Sequence, residues 1–535
     1  MSQRNKSTDH NWPQGAVIYQ IYPRSFMDTN DDGVGDLKGI VSKLDYIREL
    51  GVDGIWLSPF FKSPMKDYGY DVADYCQVDP LFGTLDDFDR LIKEAHARDI
   101  KVIIDQVYSH TSDKHQWFQE SRSDKSNSKS DWYVWADPKP DGSPPTNWQS
   151  VFTGPAWTWD ARRGQYYLHN FLDSQPDLNL HNPDVQSALL NVARFWLDRG
   201  VDGFRLDAIN FAMHDPELRD NPPSNMTNPK RPFDFQNHLY NQSHSEIPKF
   251  LRKLRAVTKE YGDIFTVAEV VGPDPVAEMK AFTAGDQHLT TAYNFDFLYA
   301  DEINSHIVKS ALAEWLDEKS SALPSWAFSN HDTPRVASRW SRTDSSNAAK
   351  LYLLLLFSLR GYIFLYQGEE LGLSQTNVPF EELKDPEAIA NWPHTLGRDG
   401  ARTPIPWEHS TANFGFSNKK PWLPFGSDHK NCAVDIQESD EESVLNFTRA
   451  LIKFRNNSPA FLRGSLSFVD CPPELLAFTR TLGRKKYLCL FNFGLTPAEW
   501  HPTAQGKVVL STSASLNPPP AKIPPGQGFI LSLSG

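Results

Sequence analysis

Four acidic residues stand in or just after apolar runs, where an unpaired carboxylate is costly. Asp105 follows Val102-Ile103-Ile104, Asp207 closes Gly203-Phe204-Arg205-Leu206-Asp207, Glu269 closes Thr266-Val267-Ala268-Glu269, and Asp332 ends Ser329-Asn330-His331-Asp332. Gathered in one place, such carboxyls can act as nucleophile and as general acid and base. Arg205 lies two residues before Asp207, on the same face of an extended run, where its charge would hold Asp207 ionised. His110 follows Asp105, and His331 directly precedes Asp332. A single buried carboxylate or histidine is usually structural. The argument for chemistry is that these residues recur together at the ends of apolar runs.

Those runs define the elements that must position them. Eight are predicted as strands: Ala16–Tyr22, Gly54–Ser58, Lys101–Gln106, Gly203–Ala208, Phe265–Val270, Ala292–Phe297, Trp326–Asn330 and Tyr362–Tyr366. Several are almost wholly apolar, as in strands buried on both faces. Between them the spacing predicts helices over Asp36–Leu50, Thr84–Arg98 (Thr84 as N-cap), Pro183–Leu197, Glu246–Tyr261, Pro275–Thr283, Ile303–Leu316, Ala348–Leu359 and Glu442–Arg455. Eight strand–helix units predict an α/β fold, a (β/α)8 TIM barrel, with its site at the C-terminal strand ends. The barrel is expected over residues 1–104 and 177–460. An inserted subdomain is expected over 105–176 after strand three, from a Pro-, Ser- and Trp-rich stretch too long for a loop. A second insertion, about 374–435, follows strand eight, and short alternating strands predict a C-terminal antiparallel β domain over 461–535.

With these residues in place the chain resembles the α-amylase superfamily, glycoside hydrolase family 13. Asp105 to His110, Gly203 to Asp207, Glu269, and Asn330-His331-Asp332 resemble its four conserved regions, in the family's order. Gln175-Pro176-Asp177-Leu178-Asn179 resembles a region typical of the α-glucosidase and oligo-1,6-glucosidase branch. The resemblance implies a retaining α-glucosidase with Asp207 as nucleophile, Glu269 as acid/base and Asp332 as a carboxylate that grips and distorts the sugar. It implies that His110 and His331 hydrogen-bond the same sugar. Asp67 and Tyr70, in Asp67-Tyr68-Gly69-Tyr70-Asp71, would hold and stack on the non-reducing glucose. Arg398 would meet the sugar and Asp332, and Arg402 would pair with Asp67. Phe152 and Phe171, from the insertion, are candidate walls. Closure at Asp67 implies an exo-enzyme that releases one glucose, and the covalent glucosyl-enzyme that the resemblance implies can be intercepted by an alcohol instead of water, which gives it transfer capacity. The residue after the nucleophile is Ala208; in such enzymes Val there goes with α-1,6 cleavage and smaller residues with α-1,4, so maltose-type substrates are expected.

Asp28, Asn30, Asp32, the Val34 carbonyl and Asp36 place oxygens at alternate positions around Gly33, as in an EF-hand loop, although Gly39 stands where the bidentate Glu would be. The resemblance implies structural Ca2+ here, with Mg2+ as the alternative and no organic cofactor. A net charge of −13 argues against nucleic acid or an anionic membrane. Four scattered cysteines without a CxxC pair suit a reducing compartment. Residues 1–12 lack an apolar signal core, and no apolar run is long enough to span a bilayer, so a cytoplasmic protein is expected, monomer or homodimer, acting on short oligosaccharides. Pro518–Pro525 reads as a turn connection.

Rival readings are an oligo-1,6-glucosidase or a sucrose-active glucosyltransferase of the same fold. The Arg-Leu-Asp-Arg-Asp segment of sucrose isomerases is absent from 301–324, and no phosphate site for a trehalose-6-phosphate hydrolase is visible. A non-enzymatic barrel of the transporter heavy-chain type would lack the full carboxylate set.

Overall fold

Strand alternation explains how the fold serves its site. The computed structural model describes residues 12–272, 274–316, 322–341, 345–395, 397–500, 506–513 and 521–533. Residues 1–11, the stretch 317–321 and Pro518–Pro520, on which parts of the sequence reading fall, lie outside the described residues. Eight parallel strands close a barrel in chain order: β1 Val17–Ile21, β2 Gly54–Leu57, β3 Lys101–Val107, β4 Gly203–Asp207, β5 Phe265–Glu269, β6 Thr291–Tyr293, β7 Pro324–Trp326 and β8 Tyr362–Tyr366, with β8 pairing back onto β1. The barrel interior has its own core of Ile18, Trp56, Ile103, Phe265, Val267, Tyr293 and Phe364. The outward residues, among them Ile104, Phe204, Leu206 and Ala268, join the larger core beneath the helices. Successive side chains alternate, so Gly203, Arg205 and Asp207 share the inward face of β4, as Phe265, Val267 and Glu269 do on β5. Gly203 must lack a side chain: a Cβ there would lie 2.8 Å from the Phe265 carbonyl oxygen and 2.9 Å from Ile103.

The helices start where their caps dictate. Leu85–His96 opens on a reciprocal capping box between Thr84 and Asp87. Pro183–Asp198 opens on Asn182 with proline in its first turn. The single helix expected over Asp36–Leu50 is two, Leu37–Ser42 and Leu44–Leu50, because Lys43 leaves helical geometry at φ −109°, ψ 9°. Strands six and seven are shorter than expected and begin earlier. Beyond Trp326 the chain leaves the barrel, and Asn330 accepts hydrogen bonds from the Asp332 amide and the Thr333 hydroxyl. This Asx turn carries Asp332 on a loop instead of on the strand.

Within the insertion after β3, Trp135–Ala136, Gln165–Leu168 and Trp157–Asp160 form a three-stranded antiparallel sheet. After the barrel, Ser465–Phe468, Leu475–Leu482, Lys485–Asn492, Gly528–Leu533 and Gly506–Ser511 form a five-stranded antiparallel sheet in that order. Among the described residues no helix is long and apolar enough to cross a membrane, and the four cysteines are unbridged.

Candidate active site

The register of β4 and β5 pairs Leu206 with Ala268, which makes Asp207 and Glu269 lateral neighbours on strands about 4.8 Å apart. Both point inward, and one guanidinium holds both. Arg205 Nη1 lies 2.5 Å from Asp207 Oδ1 and 2.7 Å from Asp105 Oδ1, and its Nη2 lies 2.7 Å from Glu269 Oε2. Arg205 is wholly buried, and its guanidinium stacks 5.1 Å from the Trp56 ring. One cation thus faces three carboxyls, so the group carries excess negative charge unless it binds a proton. Burial pushes Glu269 up to about 7; Arg205 opposes this, and the charges of Asp207 and Asp332 add to it. Asp207 is likewise pushed up to about 7 by burial against the pull of Arg205, with Asp105 adding to the rise. Asp105 rises to about 6 for the same first reason. Burial therefore lifts both carboxyls of the pair above the usual carboxylate range, with Arg205 as the opposing charge on each.

Ala208 follows β4 in the left-handed region, at φ 40° and ψ 38°. For a residue with a side chain this costs about 1–3 kcal/mol. The turn aims its N–H at Glu269 Oε2, 2.8 Å away. Glu269 Oε2 therefore accepts from the amide and is ion-paired with Arg205. Among the described residues neither Glu269 Oε1 nor Asp207 Oδ2 has a hydrogen-bond partner.

A second arginine-centred group closes the opposite side. Arg398 reaches Asp67 at 2.9 Å, Asp385 at 2.8 Å and Asp332 at 3.4 Å. Arg402 reaches Asp332 at 2.8 Å and donates to the His331 carbonyl at 2.7 Å. The expected Arg402–Asp67 pair is therefore incorrect. Arg402 ends the turn Asp399–Ala401 and is committed to the loop after β7, so Arg398, four residues earlier, takes Asp67. The expected approach of Arg398 to Asp332 holds. Burial would raise Asp332, but His331, Arg402 and Arg398 together hold its carboxyl well below the usual carboxylate range.

The remaining candidates fall around these two groups. The Tyr70 hydroxyl donates to Asp105 at 3.2 Å and meets His331 Nε2 at 2.5 Å, with the two rings stacked 7° apart. Burial lowers His331 to about 3 and His110 to about 4, so both are neutral. His110 donates to the Tyr70 carbonyl at 3.1 Å and packs on Phe171, which packs on Phe152; Arg398 lies 4.9 Å over the Phe152 ring. Three participants carried no assigned role in the sequence reading. Asp105 was visible at the end of strand three, and Gln175, which donates to Asp67 at 3.1 Å, lies in a quoted motif. Asp385 gave only the signal of an acid before a proline, and it caps the helix Pro386–Asn391 as well as holding Arg398.

The Asp28–Asp36 loop lies apart from this cluster. Asp28 accepts the amides of Asn30, Asp31 and Gly33 and the Ser417 hydroxyl; Asp36 accepts from Thr29 and from the Gly39 amide. Asp32 is exposed and accepts from Val34 and Asn30. Its oxygen-only donors suit a hard cation. Among the described residues no three His, Cys, Asp or Glu side chains converge as a ligand set, so any cation here would also need the Asn30 and Val34 oxygens.

Comparison with known proteins places this geometry. The model of the alpha amylase catalytic domain matches residues 20–464. A probable alpha-glucosidase of Rhizobium meliloti (strain 1021) is 52% identical over 494 residues, 90% of each chain. An oligo-1,6-glucosidase of Heyndrickxia coagulans is 39% identical over 523 residues, covering 90% of this chain and 92% of that one. The crystal structure of an alpha-glucosyl transfer enzyme, XgtA, superposes with a TM-score of 0.90 at 47% identity, covering 98% of both chains.

Proposed function

The chain belongs to the α-amylase family of glycoside hydrolases, in its branch of α-glucosidases and oligo-1,6-glucosidases, and from that premise we propose that it is an exo-acting, retaining α-glucosidase that prefers α-1,4 linkages and can transfer glucose to alcohols. The observation that carries this reading is the single guanidinium of Arg205 on both Asp207 and Glu269. Lateral neighbours tied to one cation suit the separation of about 5–5.5 Å that retention requires, not the wider gap of inverting enzymes. Asp207, ion-paired to Arg205, keeps the charge, and its free Oδ2 attacks the anomeric carbon. Glu269 carries the proton on its unpartnered Oε1 and gives it to the leaving oxygen. It then takes a proton from water, or from another alcohol, which displaces Asp207. Asp332, kept ionised by two arginines, accepts from the sugar hydroxyls. The Asp67–Arg398 pair closes the glucose end, so one residue is removed at a time. His110, His331 and Tyr70 would flank that glucose, with Phe152 and Phe171 as its wall.

The linkage preference rests on Ala208. A larger side chain there narrows the approach of the second sugar, and one group in such a pocket is worth about 1–3 kcal/mol. The left-handed backbone of Ala208 adds a condition, because β-branched residues avoid that region. Ala208→Val is therefore expected to lose total activity as well as to shift toward isomaltose. The test is kcat/KM on maltose, isomaltose, sucrose and trehalose-6-phosphate. Maltose should lead, and Ala208→Val should lower the maltose-to-isomaltose ratio roughly tenfold. A native preference for isomaltose refutes the α-1,4 reading and favours the oligo-1,6-glucosidase alternative; a preference for sucrose favours the sucrose-active one. Four unbridged cysteines support a cytoplasmic setting.

A further inference from the structure

Among the described residues the buried arginines follow a rule that Arg24 breaks. Arg205 and Arg402 meet carboxylates, and Arg163, Arg335, Arg455 and Arg480 donate to backbone carbonyls. Arg24, in the turn Pro23–Ser25 after β1, is 5% exposed and has neither kind of partner. Met65 Sδ, a weak acceptor 3.4 Å from Nη2, is the only hydrogen-bond partner of its side chain among the described residues, and its Nε is buried with none. The rings of Tyr68 and Trp422, 5.3 Å apart, each lie 4.9 Å from the guanidinium. Aromatic faces attract the charge but offer the N–H groups no lone pair. Asp79, the acid whose charge acts on Arg24, is engaged by the amides of Ser63 and Leu81.

Arg24 also lines a cavity of about 430 Å3, bounded by Tyr68 from the loop after β2 and by residues of the insertion after β8. Lys384 and Lys420 stand on its wall, and Glu381 and Glu382 are the acids there. Lys420 is ion-paired with Glu382 at 3.2 Å, whereas Lys384 is exposed and has no ion pair among the described residues. The same walls back the glucose end of the site. Tyr68 follows Asp67 and Lys384 precedes Asp385, the two acids that hold Arg398. The amides of Lys384 and Asp385 both donate to Asp399. Trp422 packs on Tyr22, which stacks on His331.

We propose that this cavity binds a small oxyanion, a phosphate ion or a phosphate monoester, and that its occupation tightens the glucose end. A buried guanidinium without a counter-ion is costly. A phosphate group can take two of its N–H groups at once and supply the missing charge. Lys384 adds a second cation from the rim, while Glu382 holds Lys420 back. An anion between Arg24 and Lys384 fixes the chain beside Asp67 and beside Asp385, which lowers the ordering cost of binding glucose there. That coupling rests on the reading of Asp67 and Arg398 as the glucose end; the anion site does not.

The test titrates the full chain, without Ca2+, with inorganic phosphate and with glycerol 3-phosphate, against chloride at equal ionic strength. It reads binding heat, Tm and KM for maltose. Phosphate should give binding heat, raise Tm and lower KM about fivefold with little change in kcat. A stronger response to inorganic phosphate assigns the free ion, and a stronger one to glycerol 3-phosphate assigns a monoester. Arg24→Gln should abolish the response, Lys384→Gln should weaken it, and Glu382→Gln should strengthen it by freeing Lys420. If Arg24→Gln does not fold, the opposite signs expected at Lys384 and Glu382, both outside the core, still decide. A response no larger than that to chloride, or one undiminished in Arg24→Gln or in Lys384→Gln, overturns the site. Phosphate binding that leaves KM unmoved overturns the coupling. Phosphate bound by a protein that turns over no α-glucoside keeps the anion site and removes the glucosidase reading.

Discussion

Arginine holds both halves of the site, but the halves are built differently. Arg205 sits two residues from Asp207 on one strand and reaches Asp105 and Glu269 across neighbouring strands. Backbone alternation and parallel register alone place it. Arg398 meets Asp67 across 331 positions of sequence, and with Asp385 and Asp332 it ties three loops together. Only tertiary ion pairing places that group. The Asp207 and Glu269 side chains are each 11% exposed, whereas that of Asp332 is 30% exposed, so solvent reaches the central acid of the second group more than the acids of the first. The strand-borne group should therefore govern chemistry and the loop-borne group binding.

The strongest way to break that division is Asp207→Asn. The amide keeps the shape but removes the attacking charge, so kcat is expected to fall on the order of 10^4-fold or more with the fold retained. Turnover near that of the unmodified enzyme in a folded variant would refute the assignment. Glu269→Gln should act more selectively. The first step on a basic leaving group such as glucose should fall about 10^2–10^4-fold, while an activated aryl glucoside loses far less. Because Glu269 is raised to about 7, its proton is lost above that pH and kcat/KM should decline there. With the aryl substrate that alkaline decline should vanish in Glu269→Gln. Equal losses on both substrates, or an unchanged alkaline limb, would remove Glu269 from the role.

Arg398→Lys probes the other half. Lysine keeps the charge but cannot fork between Asp67, Asp385 and Asp332. Substrate binding should weaken by about 10–100-fold in KM, with a much smaller change in kcat. A kcat loss matching that of Asp207→Asn at unchanged KM would erase the distinction between the two groups.

The same division explains what was legible in the sequence. Periods of two and of three to four residues revealed the strands and most helices, and with them Asp105, Arg205, Asp207 and Glu269. Alternation converts position into direction with no knowledge of the loops. Asp332 was legible by type, but its carrier was misread as strand because the Asn330 turn gives no periodic signal. Arg398 and Arg402 were found, yet the Asp67 partner went to the wrong one, since spacing cannot say which of two arginines four residues apart turns toward a distant acid. Asp385 looks locally like a helix cap, which it also is. The break at Lys43 was hidden because Leu37, Ile40, Leu44 and Ile47 keep helical spacing across it.

The smallest expected effect concerns the loop at 28–36, which resembles neither half because its acids are held mainly by amides. Asp28 and Asp36 already accept backbone N–H groups and hydroxyls from Ser417 and Thr29. The turn is therefore largely formed by its own hydrogen bonds, and a cation adds to a cradle it does not have to build. We propose Ca2+ bound by Asp28, Asn30, Asp32, Asp36 and the Val34 carbonyl, an all-oxygen set suited to a hard ion. A ligand that binds only the folded state stabilises it by mass action, about 2.7 kcal/mol at a hundredfold excess over Kd, and in a chain this long that amounts to about 2–5 °C in Tm. Chelation should lower Tm by that amount, and added Ca2+ should restore it. Asp32→Ala is the informative variant, because Asp32 is exposed while Asp28 and Asp36 are buried and hold the turn. It should abolish the response to chelator while leaving the metal-free Tm nearly unchanged and kcat intact, since the loop lies apart from the carboxyl cluster. A purified protein without bound divalent cation, and with the same Tm in chelator and in Ca2+, would make the loop a self-sufficient turn.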